Sequence, residues 1–121
     1  MGKRQVSSDQ QTTLGILKQE VERFVIEREW KQFHSPKNLA MAIGVEAGEL
    51  MDLFRWRTEA ESKRSMKSSD FRQAAVDELA DIIICALSFA NRAEIDISAA
   101  VSRKIGKNAQ KYPIKKYKGR F

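Results

Sequence analysis

The sequence predicts an all-α protein built as a four-helix bundle. Three observations carry that expectation. Apolar residues recur at helical spacing along most of the chain. No stretch alternates apolar and polar residues as a half-buried strand would. Glycine and proline number only six and two in 121 residues, so the helical runs have few natural interruptions. A chain of this length makes one domain, and its 42% hydrophobic share suits a packed core rather than disorder. Neither a solenoid repeat nor a low-complexity segment is present.

The first helix is expected from about Asp9 to Lys31, where Leu14, Leu17, Val21, Phe24 and Arg28 keep the helical period. Phe33-His34-Ser35-Pro36 ends it, because Pro36 biases Ser35 away from helix. The second starts at Pro36 or Lys37, with proline suited to the first turn, and runs to Arg57. Thr58 to Ser69 is polar and reads as a loop with room for one helical turn. Ser68 or Ser69 caps the third helix, which runs to about Ala93. The fourth starts at Asp96 or Ser98 and stops before Pro113. Residues 1–8 and 114–121 read as flexible tails.

Two pairs of acids interrupt the apolar pattern. Glu46 and Glu49 form E-x-x-E in the second helix; Glu78 and Asp81 form E-x-x-D in the third. Residues three apart are neighbours on a helix, so each pair presents two carboxylates side by side. In the second helix Leu39, Ile43, Glu46, Leu50 and Leu53 step by four, three, four and three. Phe71, Ala75, Glu78, Ile82, Cys85 and Phe89 do the same in the third. Glu46 and Glu78 thus stand where the seam calls for apolar residues. A lone acidic pair is ordinarily a solvated face, but two pairs on two seams are not explained that way. A buried ion-pair network with Lys or Arg is the other structural explanation, and such networks are poor stabilisers. Converging carboxylates in a low-dielectric interior need a cation to stay ionised. An oxygen-only donor set favours Mg²⁺, with Mn²⁺ as a substitute, over Zn²⁺ or iron. A di-iron bundle calls for Glu-x-x-His motifs, and the single histidine, His34, belongs to none.

The charge is segregated. The net charge is +6, and after Asp96, the last acid, come Arg103, Lys104, Lys107, Lys111, Lys115, Lys116, Lys118 and Arg120. Such an end attracts polyanions. Lys104, Asn108, Lys111 and Tyr112 share one helical face, and Arg92 ends the third helix; together they are candidates for binding a polyphosphate. Lysine near a helix C-terminus is also favoured by the helix dipole, so this face gains meaning from the carboxylates nearby. A Walker-type loop is absent, which excludes a P-loop enzyme. Trp56, between Arg55 and Arg57, resists full burial and is a candidate for stacking on a base.

Val76, Leu79, Ile83, Ala86 and Ala90 give the third helix a second apolar stripe, which predicts cover from another subunit. No run is long enough to span a membrane, and the N-terminus lacks the apolar region of a signal peptide. Cys85, the one cysteine, lies in an apolar run; the expected location is cytoplasmic.

EREWKQFHSPKNLAMAIGVEAGELMDLFRW, DELADIII and KIGKNAQKYP together resemble the MazG-like all-α nucleoside triphosphate pyrophosphohydrolases, closest to the dCTP pyrophosphatase branch. The likeness covers about Val21 to Pro113. It rests on W-x-x-F-H-x-P-x-N, E-x-x-E-L-x-x-x-F-x-W and K-x-x-x-N-x-x-x-Y-P besides the acid pairs. It implies one MazG-like domain over residues 1–121 that cleaves a nucleotide between its α and β phosphates, in dNTP housekeeping. It implies Mg²⁺ on Glu46, Glu49, Glu78 and Asp81, and catalytic roles for Glu49 and Glu46. Phosphates would lie on Arg92, Lys104, Asn108, Lys111 and Tyr112, and the nucleoside against Trp30, His34, Asn38 and Trp56. It also implies an intertwined homodimer or a dimer of dimers with sites shared across an interface. Cys85 and Val21 depart from some close relatives, which carry tyrosine and histidine there, so the base and sugar preference stays open. The rival readings are a helical nucleic-acid-binding module using the basic end, which leaves the inward acids unexplained, and a non-catalytic nucleotide sensor.

Overall fold

The computed structural model describes residues 5–120, so Met1 to Arg4 and Phe121 of the two expected tails lie outside the described residues. Among the described residues every regular element is helical: α1 (Leu14–Glu27), a 3₁₀ turn (Trp30–Phe33), α2 (Pro36–Phe54), α3 (Glu59–Ser65), α4 (Ser69–Arg92), α5 (Ile97–Lys111) and α6 (Ile114–Tyr117). The all-α class holds. None of these helices is long and apolar enough to cross a membrane.

Local chemistry sets the ends. Thr13 caps α1 by accepting from the Ile16 N–H at 3.1 Å, so the helix starts after the expected Asp9. It ends at Glu27 rather than Lys31 because Glu29 turns left-handed, with φ 55°. The chain then rewinds as the 3₁₀ turn. Ser35 caps α2 through the Asn38 N–H, with Pro36 at the first position. The second helix stops at Phe54, three residues short of the expected Arg57. Thr58 and Glu61 form a reciprocal capping box that gives the polar stretch a two-turn helix, α3. The Asp96 carboxylate caps α5 through the Ala99 N–H at 3.0 Å. Part of the expected C-terminal tail is the helical turn α6, where Tyr117 meets Tyr112 edge-on at 5.2 Å.

α4 is the centre of the fold: α2 packs along one side of it and α1 along another. Val25, Leu39, Ala75, Leu87 and Ala90 form the buried core, and among the described residues no large side chain is completely enclosed. Phe54 of α2 meets Phe71 of α4 edge-on at 5.2 Å. Arg57 lies over the Phe71 ring and donates to the Ser65 hydroxyl and the Leu53 carbonyl, tying α2, α3 and α4 at one end. At the other end Arg92 pairs with Glu22, Asn91 donates to the Lys18 carbonyl, and Lys18 donates to the Ile95 carbonyl. These contacts fix α1 on α4. α5 stands apart, exposed over residues 101–110. The chain exposes 10183 Å². A compact monomer of 13.8 kDa exposes about 6,600 Å². The excess is the area of helices that lack a complete set of neighbours.

Candidate metal centre and nucleoside cavity

Packing of α2 on α4 brings the seam acids together. Glu46, Glu49 and Glu78 each offer a carboxylate oxygen, and the three oxygens lie within 4.8 Å of one another. Glu46 and Glu78 are half-buried and Glu49 is exposed. One oxygen each of Glu46 and Glu78 is buried without a hydrogen-bond partner. Such orphaned acceptors are costly unless something positive meets them. Burial raises the Glu46 carboxyl above the usual range, and the charges of Glu49 and Asp81 push it further. Glu78 is raised first by burial, then by Glu49, with Glu46 and Asp81 adding to it. The donor set is all oxygen, from two rigid helices, and it fits a hard divalent cation. Asp81 is exposed and stands beside the trio rather than within its close grouping. Its charge nonetheless reaches Glu46, Glu78 and Cys85.

Next to the carboxylates an open, mainly apolar cavity of about 910 Å³ lies between α1, the 3₁₀ turn, α2 and α4. Trp30, His34 and Asn38 line it. The left-handed Glu29 puts Trp30 there, edge-on to Phe24 at 5.7 Å and 6.4 Å from the His34 ring. The Asn38 side chain donates to the Phe33 carbonyl at 2.9 Å, which locks the 3₁₀ turn to the start of α2. Val21 and Cys85, the two departures from relatives, also line the cavity. Burial raises the Cys85 thiol, with Glu46 and Asp81 adding to it.

Other expected site residues are elsewhere. Trp56 is 82% exposed, lies beside Arg55 and takes no part in the cavity wall. Arg92 is engaged by Glu22, which also faces Lys31 at 3.7 Å, so it serves the α1–α4 joint rather than standing free for phosphate. Lys104, Asn108, Lys111 and Tyr112 share the exposed face of α5, and among the described residues no ion pair joins Lys104 or Lys111 to the carboxylates. Sequence reasoning missed Phe24, Leu79 and Ile83 as cavity residues. The signal was present in the second stripe of α4. Of that stripe Val76, Leu79 and Ile83 edge the chain's own cavity and remain 42–52% exposed, while Ala90 is core.

The MazG-like family model matches residues 41–120, which include most of α2, both acid pairs and all of α5. The chain belongs to the MazG-like family. This MazG-like chain is 40% identical to rat dCTP pyrophosphatase 1 over 91 residues, 75% of this chain and 54% of that protein. It is likewise 40% identical to human dCTP pyrophosphatase 1 over 90 residues, 74% and 53% of the two. The chain therefore spans about half the length of the curated relatives it matches. The crystal structure of a pyrophosphatase from Archaeoglobus fulgidus superposes with a TM-score of 0.77 at 32% identity, covering 92% of this MazG-like chain and 99% of that one.

Proposed function

We propose that this MazG-like chain is a Mg²⁺-dependent nucleoside triphosphate pyrophosphohydrolase, cutting between the α and β phosphates to give a monophosphate and pyrophosphate. The observation that carries the reading is the set of three carboxylates within 4.8 Å, two with orphaned buried oxygens, beside an aromatic-edged cavity. The named relatives support the reaction class and a dCTP-like preference. A role in dNTP housekeeping follows from that preference.

Glu46, Glu49 and Glu78 hold the cation, with Asp81 as the fourth carboxylate. Mg²⁺, or Mn²⁺ in its place, supplies a lowered pKa for water and neutralises phosphate charge. Glu49, the exposed member, orients the water and takes its proton on a carboxylate oxygen as the water oxygen bonds to the α-phosphorus. The bond from that phosphorus to the bridging oxygen breaks, and pyrophosphate leaves with the electron pair. Lys104, Asn108, Lys111 and Tyr112 hold the departing phosphates. The nucleoside lies against Trp30, His34 and Asn38. The exposed area and the isolated α5 favour a homodimer or homotetramer in which α5 and Trp56 of one copy serve the site of another.

Purified chain with Mg²⁺ and a panel of dNTPs should release pyrophosphate, fastest from dCTP. Release of single phosphate, or no release, overturns the reading. Charge alone favours a second reading, nucleic-acid binding by the eight cations after Asp96. It requires salt-sensitive binding that persists in EDTA.

A further inference from the structure

Glu29 and Glu94 are the non-glycine residues with a left-handed backbone among the described residues, and of the two only Glu29 precedes a cavity residue. Its φ of 55° crowds Cβ against its own carbonyl oxygen, so the conformation is disfavoured unless neighbouring groups hold it. Strain of this kind collects at ligand clamps, where the surroundings over-determine it. The Glu29 side chain makes no capping bond. Its N–H donates to the Ile26 carbonyl at 2.9 Å, and its carbonyl accepts from the Gln32 side-chain amide at 3.0 Å. Asn38 pins the far end of the 3₁₀ turn through the Phe33 carbonyl. Gln32 pins the near end, where Trp30 stands.

We propose that Gln32 is a positioning residue for the nucleoside cavity: its amide holds the left-handed turn at Glu29, and that turn sets Trp30 in the cavity wall. The assignment takes its substrate from the pyrophosphohydrolase reading above. Gln32 itself is exposed and forms no part of the wall, so it acts through Trp30. Trp30 is 42% exposed and meets Phe24 edge-on at 5.7 Å, so packing leaves much of its ring uncovered. Its direction then depends on the backbone that carries it. Releasing Glu29 from the left-handed region turns the Trp30 ring away from Phe24 and opens the wall.

Steady-state pyrophosphate release from dCTP in Mg²⁺ is the test. Gln32→Ala should raise KM about three- to tenfold and leave kcat within about twofold of wild type, because the lost contact serves ground state and transition state alike. Gln32→Glu keeps the side-chain length but cannot donate when ionised, so it should match Gln32→Ala at neutral pH. Glu29→Gly in the Gln32→Ala background should restore KM, since glycine takes a positive φ at no steric cost. Glu29→Ala in that background keeps the Cβ and should not. Trp56→Phe leaves Trp30 as the one tryptophan of the chain. In that background acrylamide quenching of Trp30 should rise with Gln32→Ala and return with Glu29→Gly. An unchanged KM or unchanged quenching in Gln32→Ala overturns the assignment. So does a loss confined to kcat, or one that Glu29→Gly leaves in place. If the wild-type chain releases no pyrophosphate, calorimetric affinity for the α,β-methylene analogue of dCTP takes the place of KM. Weaker binding in Gln32→Ala, restored by Glu29→Gly, then upholds the assignment and overturns the hydrolase reading. A wild-type chain that binds no nucleotide overturns both.

Discussion

The α2–α4 seam and α5 carry the two halves of the proposed chemistry, and the chain treats them differently. The seam is packed, and its acids converge because two helices are locked side by side by Phe54, Phe71 and Arg57. α5 is exposed through residues 101–110, and its cations meet no acid of the described chain. The difference teaches that a helix face can be specified fully in sequence without meeting a neighbour among the described residues. Val101 and Ile105 lie on the same side of α5 as Lys104, Asn108 and Tyr112, and both are exposed. A face that mixes apolar residues with those proposed to hold phosphates would suit docking on a second copy.

The largest expected effect is on the packed half. Glu46→Gln or Glu78→Gln should take pyrophosphate release to background while circular dichroism stays native, and EDTA should do the same to the wild-type chain until Mg²⁺ is restored. Retained turnover in either variant would detach the carboxylates from the chemistry. On the exposed half, Lys104→Ala should cost roughly 10²-fold in kcat/KM. Mixing inactive Glu78→Gln with Lys104→Ala subunits, then allowing exchange, should recover activity if α5 works across copies. No recovery would return α5 to its own chain's site.

A smaller effect concerns pH. The Glu46 and Glu78 carboxyls are raised in the fold, so the folded state binds protons more tightly than the unfolded one. Their contribution to stability is fully present below the ordinary glutamate pKa of 4.5 and is lost as pH rises through the raised values. In EDTA, Glu46→Gln should therefore melt higher than wild type at pH 8, with the gap closing toward pH 4. A gap that ignores pH would show that the carboxylates are not strained by one another. The smallest effect lies in the backbone. Glu29 and Glu94 hold φ of 55° and 54° just past the ends of α1 and α4, where glycine is the usual residue. Glu94→Gly should stabilise by about 0.5–1 kcal/mol in urea unfolding, without touching the site.

Sequence legibility follows the same divide. The seam acids were readable because heptad spacing forces their direction; Glu46, Glu49 and Glu78 come together across α2 and α4, while Asp81 stands beside them. The caps at Ser35 and Asp96 were readable from residue type and position. The early end of α1 was not, because nothing in the chemistry of Glu29 announces a left-handed backbone. That one residue decides where Trp30 goes. Arg92 looked like a phosphate ligand because a cation at a helix end has several uses, and only the position of Glu22 on a distant helix selects among them. Trp56 was read as hard to bury, and it is 82% exposed beside Arg55.

The absence, among the described residues, of any large, completely enclosed side chain bears on how this protein responds to dilution. In the proposed homodimer or homotetramer, a chain whose own core is this thin would draw much of its folding free energy from the copy that covers the open faces of α4 and α5. By mass action its melting temperature should then climb with protein concentration. Assays run at nanomolar enzyme would then lose activity through subunit loss and unfolding before substrate affinity is ever limiting.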